Sequence, residues 1–127
     1  MILIGILSAT ALPRLSALGT FAGRGFRDQT IATLRFAQKT AIAQRRAVCV
    51  TTSSSAVTLE IAATSSAASG CGGAALNLPF TAKAGTGLSV ASFNFKGMGE
   101  TDAASDITLT VTDADNITVD HVTGYVR

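Results

Sequence analysis

Hydrophobic positions follow two different periods along this chain. Up to about residue 46 they recur at helical spacing, and beyond it they alternate in short runs separated by small polar residues. The first stretch, residues 1–12 (MILIGILSATAL), is apolar or Gly at every position except Ser8 and Thr10. Residues 26–46 (FRDQTIATLRFAQKTAIAQRR) hold the clearest amphipathic pattern. Phe26, Thr30, Leu34, Ala37 and Ala41 fall on one face of a helix, and Arg24, Asp28, Arg35, Lys39 and Arg46 gather on the other. Arg45 and Arg46 are expected in its last turn, where cations suit the helix dipole. After Arg46 the period shortens to that of a strand. Residues 47–52 and 56–62 read as strand, turn, strand, with Val57, Leu59 and Ile61 on one face. Residues 63–75 form a small-residue loop, and 76–80 read as a short edge strand because Pro79 cannot donate to a ladder. Further strands are expected at 88–96, 107–112, 117–120 and 125–127, joined by turns at 97–100, 113–116 and 121–124. The later connections are too short for crossovers, so the order is antiparallel. The expected class is α+β, a long N-terminal helix packed on an antiparallel head of about six short strands. The expected division is residues 1–20, projecting away, and residues 21–127, the head, with its β region at 47–127.

The apolar start excludes some readings. Twelve helical residues reach about 18 Å, short of the roughly 30 Å hydrocarbon core. A secretory signal fits poorly, because no Lys or Arg precedes the apolar run. The tail of a longer apolar helix fits better. Pro13 removes a helical hydrogen bond and clashes with the turn before it, so the helix is expected to loosen between Ile6 and Leu12. Gly19, Gly23 and Gly25 are weaker points, each costing up to about 1 kcal/mol against Ala.

Composition narrows the class. In 127 residues, 47% are hydrophobic and 14% charged, which excludes a disordered, charge-rich chain. Trp is absent and aromatics are 6%, so small aliphatic residues must build the core, and a staple or partner would help one this small. Charge is lopsided. Residues 1–46 hold seven cations against Asp28, a net +6, whereas residues 47–127 hold three cations against seven acids, a net −4. This basic third could meet an anionic ligand or pair head to tail with copies of the chain; the plainer reading is a solvated helix face.

Cys49 lies in the first strand and Cys71 in the small-residue loop, 22 positions later. A disulfide between them is expected on spacing, and on the liability of an exposed thiol in a Gly-rich loop; the alternative is a buried thiol at 49 and a free one at 71. A bridge would stabilise by roughly 3 kcal/mol in the chain-entropy model and would imply an oxidising compartment. With no CxxC and a single His, no metal site or cofactor is expected. His121, expected in an exposed turn, lacks evident partners for general base chemistry. Asp113, Asp115 and Asp120 surround a hairpin but match no EF-hand spacing, and a solvated turn is the expected reading. GCGG at 70–73 lacks the Lys-Ser/Thr of a phosphate loop, and there is no G-x-S-x-G. Asn116-Ile117-Thr118 fits a glycosylation acceptor, a short pattern that often arises by chance. An enzyme is not expected.

The run ILIGILSATALPRL (2–15) resembles the N-terminal helix of type IV pilins and type II secretion pseudopilins. Residues 26–50 resemble the GspH/FimT branch of minor pilins, and most closely those of mannose-sensitive haemagglutinin pili. The ending ITVDHVTGYVR (117–127) is similar to the closing hairpin of that branch. Family members carry a basic leader, then Gly-Phe-Thr-Leu and a Glu, before the apolar stretch; these do not precede Ile2, so the chain is expected to be truncated against that pattern. The resemblance implies a structural subunit that initiates, caps or joins a type IV pilus or a secretion pseudopilus. Its partners would be other major and minor pilins in a helical filament and the inner-membrane assembly machinery. Ile2, Leu3, Ile4, Ile6, Leu7 and Leu12 would form the membrane-embedded, then filament-core, surface, and Gly5 and Pro13 would be the helix-weakening positions. The head would sit in the periplasm and then at the cell surface. Relatives of the FimT type also suggest a DNA-binding role, for which Arg24, Arg35, Lys39 and Arg46 are the candidate residues.

Overall fold

The computed structural model describes residues 2–63, 73–76 and 87–127, with side chains from residue 21 onward. The α+β expectation holds: one N-terminal helix packs on antiparallel strands. Helix α1 runs Ile2–Gln44, about 65 Å at 1.5 Å per residue. It passes Gly5 and Pro13 without interruption, so the expected loosening does not divide it, and the boundary drawn at residues 20 and 21 falls inside it. Among the described residues, strands β1 (Val48–Thr52), β2 (Val57–Ile61), β3 (Ala75–Leu76) and β4 (Ala91–Phe95) form one antiparallel sheet in the order β3-β2-β1-β4. Strands β5 (Ile107–Leu109) and β6 (Ile117–Val119) form a second sheet, extended by a bridge from Val119 to Val126.

The helix face read from the sequence is the buried one. Phe26, Thr30, Leu34, Ala37 and Ala41 are all buried, and Ile31 and Thr33 join them. The first sheet meets this face with two rows of side chains. Val48 is in register with Ile61 and Phe95, and Val50 with Leu59 and Phe93, and all six are buried. Phe93 and Phe95 share that face at i and i+2 and meet edge to face, with centroids 5.5 Å apart. The second sheet contributes Leu109, Ile117, Val119 and Val126, none with exposed surface. The helix is a common wall for both sheets, which is how a core of small aliphatics closes without Trp.

Several boundaries differ from expectation for local reasons. The helix ends at Gln44, not Arg46. Arg45 takes a left-handed conformation (φ 52°), and the Arg46 N–H reaches back to the Ala41 carbonyl at 3.2 Å. That is a Schellman closure with Arg where Gly is usual, so the two arginines lie beyond the last turn. The strand expected at 88–96 is broken at Val90. Leu88 bridges to Val111, while Ala91 onward pairs with β1. The buried Thr52 hydroxyl stitches the break, donating to the Ser89 carbonyl (2.7 Å) and accepting from the Ala91 N–H (2.7 Å). The run 107–112 likewise stops at Leu109 before Val111 turns to Leu88, and 117–120 stops at Val119. At 125–127 only Val126 bridges, with Thr118 and Arg127 exchanging backbone hydrogen bonds. The expected edge strand at 76–80 begins as β3; Pro79 lies outside the described residues.

Two stability measurements check this account. Leu34→Ala should lower unfolding free energy by about 2–5 kcal/mol in urea titration, whereas Phe36→Ala, on the exposed face, should change it by less than about 1 kcal/mol. Arg45→Gly should raise it by about 0.5–1 kcal/mol, because the left-handed cap disfavours a Cβ.

Candidate functional site

Long polar side chains on α1 fasten the second sheet to the helix. Arg27 Nε donates to the Asp115 carbonyl at 2.9 Å, and an Arg35 guanidinium N–H donates to the Val126 carbonyl at 3.0 Å. The Gln38 amide N–H₂ donates to two carbonyls, Gly99 at 3.0 Å and Thr123 at 2.9 Å. Those two loops touch so closely that a Cβ on Gly124 (φ 71°) would collide with the Gly99 carbonyl. The Thr-Gly turn is therefore held against the helix by Gln38, and only Gly fits at 124.

The four candidate nucleic-acid residues divide in this arrangement. Arg24 and Lys39 are exposed, and Arg46 is half-buried. Arg35 is exposed along its length, but its terminal nitrogen is engaged by the C-terminal strand. Acids from the second half of the sequence come back to the helix. Asp113 and Asp115 share an open cleft of about 390 Å³ with Arg24, Arg27, Asp28 and Ala114. The separation of charge along the chain is thus partly undone in space, and α1 carries no long, uncompensated cationic stripe at this end.

His121 lies in the turn after β6, half-exposed, with a partner the sequence did not reveal. Its Nδ1 is 2.7 Å from Asp106 Oδ1, which also accepts the His121 backbone N–H at 3.1 Å. Sequence reading grouped Asp120 with Asp113 and Asp115, but β6 separates them, and Asp120 sits with Asp106 and His121 instead. Asp120 Oδ1 accepts the N–H groups of Val122 (2.9 Å) and Thr123 (2.8 Å). One ligand atom from each of Asp106, Asp120 and His121 lies within 4.8 Å of the others. A residue pairing 15 positions apart has no local signature, which is why the Asp106–His121 contact was illegible.

Hydrogen bonds from the His121 side chain and backbone hold the Asp106 carboxyl below its ordinary 3.8, and those from Thr123 do the same for Asp120. The free groups in an unfolded chain titrate higher, so both carboxylates stabilise the fold above pH 3.8 and lose that contribution as pH falls through their lowered values.

Cys49 is disulfide-bonded. Cys71, the chain's other cysteine, lies outside the described residues. Of the GCGG run only Gly73 is described. A Cβ there would overlap the Ile61 carbonyl, so its role is close packing at the end of β2. Among the described residues no helix is long and apolar enough to cross a membrane. No family model, no curated protein and no solved structure matches this chain.

Acid titration followed by circular dichroism checks the turn. The wild-type fold should lose stability as pH falls below 3.8, and Asp106→Asn should be less stable at neutral pH with a shallower acid limb.

Proposed function

We propose that this chain is a minor pilin or pseudopilin, a structural subunit that initiates, caps or joins a type IV pilus or a type II secretion pseudopilus. The observation that carries the reading is the unbroken α1 helix. It starts in the apolar sequence 2–12 and continues, with no intervening linker, into the face that forms the core of the head. A rigid rod joining an apolar end to a folded head suits a subunit that rests in lipid and then moves into a filament. In both settings the apolar end meets a non-aqueous partner, worth about 25 cal/mol per Å² buried. Heterologous contacts that do not close make a helical filament rather than a ring.

Two further features support it. The disulfide at Cys49 suits a head that matures in the periplasm. The polar side chains of α1 are spent on fastening the C-terminal sheet, which suits a structural subunit better than a nucleic-acid receptor. In this reading Ile2, Leu3, Ile4, Ile6, Leu7 and Leu12 supply the buried surface, and the partners are other pilins and the inner-membrane assembly machinery.

Expression of the chain in a piliated bacterium, followed by membrane fractionation and shearing of surface filaments, tests the proposal. The chain is expected in the inner membrane and, as a minor component, in the sheared filaments. Ile4→Glu with Leu7→Glu should deplete it from both. A chain that stays monomeric without detergent, or that reaches the membrane but never the filaments, would overturn the reading.

A further inference from the structure

Two turns converge on the end of α1 and leave apolar side chains at the surface. The 97–100 turn lies against the helix: a Cβ on Gly97 would meet the Arg45 backbone at 3.0 Å, and one on Gly99 would meet Ile42 Cδ1 at 2.8 Å. The 121–124 turn lies against the first turn, because a Cβ on Gly124 would overlap the Gly99 carbonyl. Backbone packed this closely leaves no room for larger side chains inside the contact. The residues beside these glycines are therefore exposed, Met98 at 88%, Val122 at 64% and Tyr125 at 57%, and Ile42 is exposed beside them.

Scattered exposed apolar residues are ordinary, but four around one point of contact make a patch. Tyr and Met are also among the residue types enriched in protein interfaces. The patch is held in shape before anything binds, since the Gln38 amide donates to the Gly99 carbonyl of one turn (3.0 Å) and the Thr123 carbonyl of the other (2.9 Å). A preformed surface loses little conformational freedom on binding.

Charge at the rim is of one sign. Lys39 and Arg45 stand three residues before and after Ile42, both exposed, and neither makes an ion pair among the described residues. The nearby acids are engaged. Glu100 faces Lys96 at 3.4 Å, Asp106 faces His121 at 2.7 Å, and Asp120 accepts the Val122 and Thr123 N–H groups. The cations are thus the charges left to attract a partner, and a partner with carboxylates beside an apolar side chain complements them. Two other occupants fit less well. A second copy set on the same patch would bring Lys39 and Arg45 against their own counterparts. A bilayer holding the apolar start would lie at the other end of the helix, since Ile42 is about 60 Å along α1 from Ile2.

We propose that the patch formed by Ile42, Met98, Val122 and Tyr125, rimmed by Lys39 and Arg45, is a docking surface for an acidic segment of an unlike polypeptide. An apolar side chain of that segment covers Met98 and Ile42, and its carboxylates face Lys39 and Arg45. The apolar contact supplies the anchor, and the charges supply the selection between partners. The inference concerns the surface of the head and stands whether or not the chain enters a filament.

Methyl NMR on the full chain in phosphatidylcholine nanodiscs tests it, with the peptide Glu-Asp-Leu-Trp-Glu-Asp-Ile-Glu as the probe. The Met98, Ile42 and Val122 methyl signals should shift saturably, with half-saturation below about 1 mM, and binding should weaken about fivefold or more in roughly 0.5 M salt. The same peptide with Lys at every acidic position should leave these signals in place. Met98→Ser should weaken the acidic peptide about fivefold or more with helix content unchanged. Lys39→Glu with Arg45→Glu should exchange the preference, so that the Lys peptide binds and the acidic one does not, a gain that misfolding cannot produce. No saturable shift, or equal binding of both peptides by the unaltered chain, would overturn the proposal. So would association of one-chain discs with one another through these methyls, which would make a second copy the occupant. Shifts produced by phosphatidylglycerol vesicles and not by the peptide would assign the patch to a lipid surface and overturn it too.

Discussion

A single helix face in this head must satisfy two sheets at once. Leu34, Ala37 and Ala41 have no exposed surface; the first sheet packs on α1, and residues of β5 and β6 belong to the same buried cluster. Small residues on the helix let both sheets come close, and the larger Phe93, Phe95 and Leu59 fill the space opposite them. In a chain with 6% aromatics, the apolar face of α1 is a large part of the surface that closes the core. Removing volume from this face therefore loosens both sheets together.

The polar groups on α1 follow from that packing. A helix packed on a sheet by one face has flanks where long side chains run beside strand ends and turns, and Arg27, Arg35 and Gln38 use their donors there. These contacts complete carbonyls that would otherwise lack partners at the margin of the core, and no buried side-chain polar atom among the described residues is left unsatisfied. The helix face that reads as a solvated basic stripe is thus partly a set of fasteners. Its remaining exposed surface, with Phe36 and Ile42 among the charges, is less polar than a simple solvent face.

Periodicity made much of this legible. The buried face of α1 was readable at Phe26, Thr30, Leu34, Ala37 and Ala41, because a 3.6-residue repeat in a segment without Gly or Pro has one structural meaning. The β1–β2 hairpin was readable for the same kind of reason, with Leu59 and Ile61 alternating toward the core. Strand ends were not readable where partners change. Nothing local to Val90 says that Leu88 will pair with Val111 while Ala91 pairs with β1, since the switch depends on a buried hydroxyl 38 positions earlier, at Thr52. The helix end was misjudged because the Schellman closure uses Arg45, and the left-handed residue is usually Gly.

The sequence by itself determined what is set by local spacing: the helix and its buried face, the antiparallel order that follows from short connections, and the apolar leading segment that motivates a filament role. Only the tertiary structure decided which distant groups meet. It brought Asp106 to His121, returned acids to a helix that is basic in sequence, and gave Gln38 two loops to hold. The physical reason is range. Periodicity and turn chemistry act over a few residues, whereas a hydrogen bond or ion pair between segments exists only after packing of the core has fixed where each segment lies.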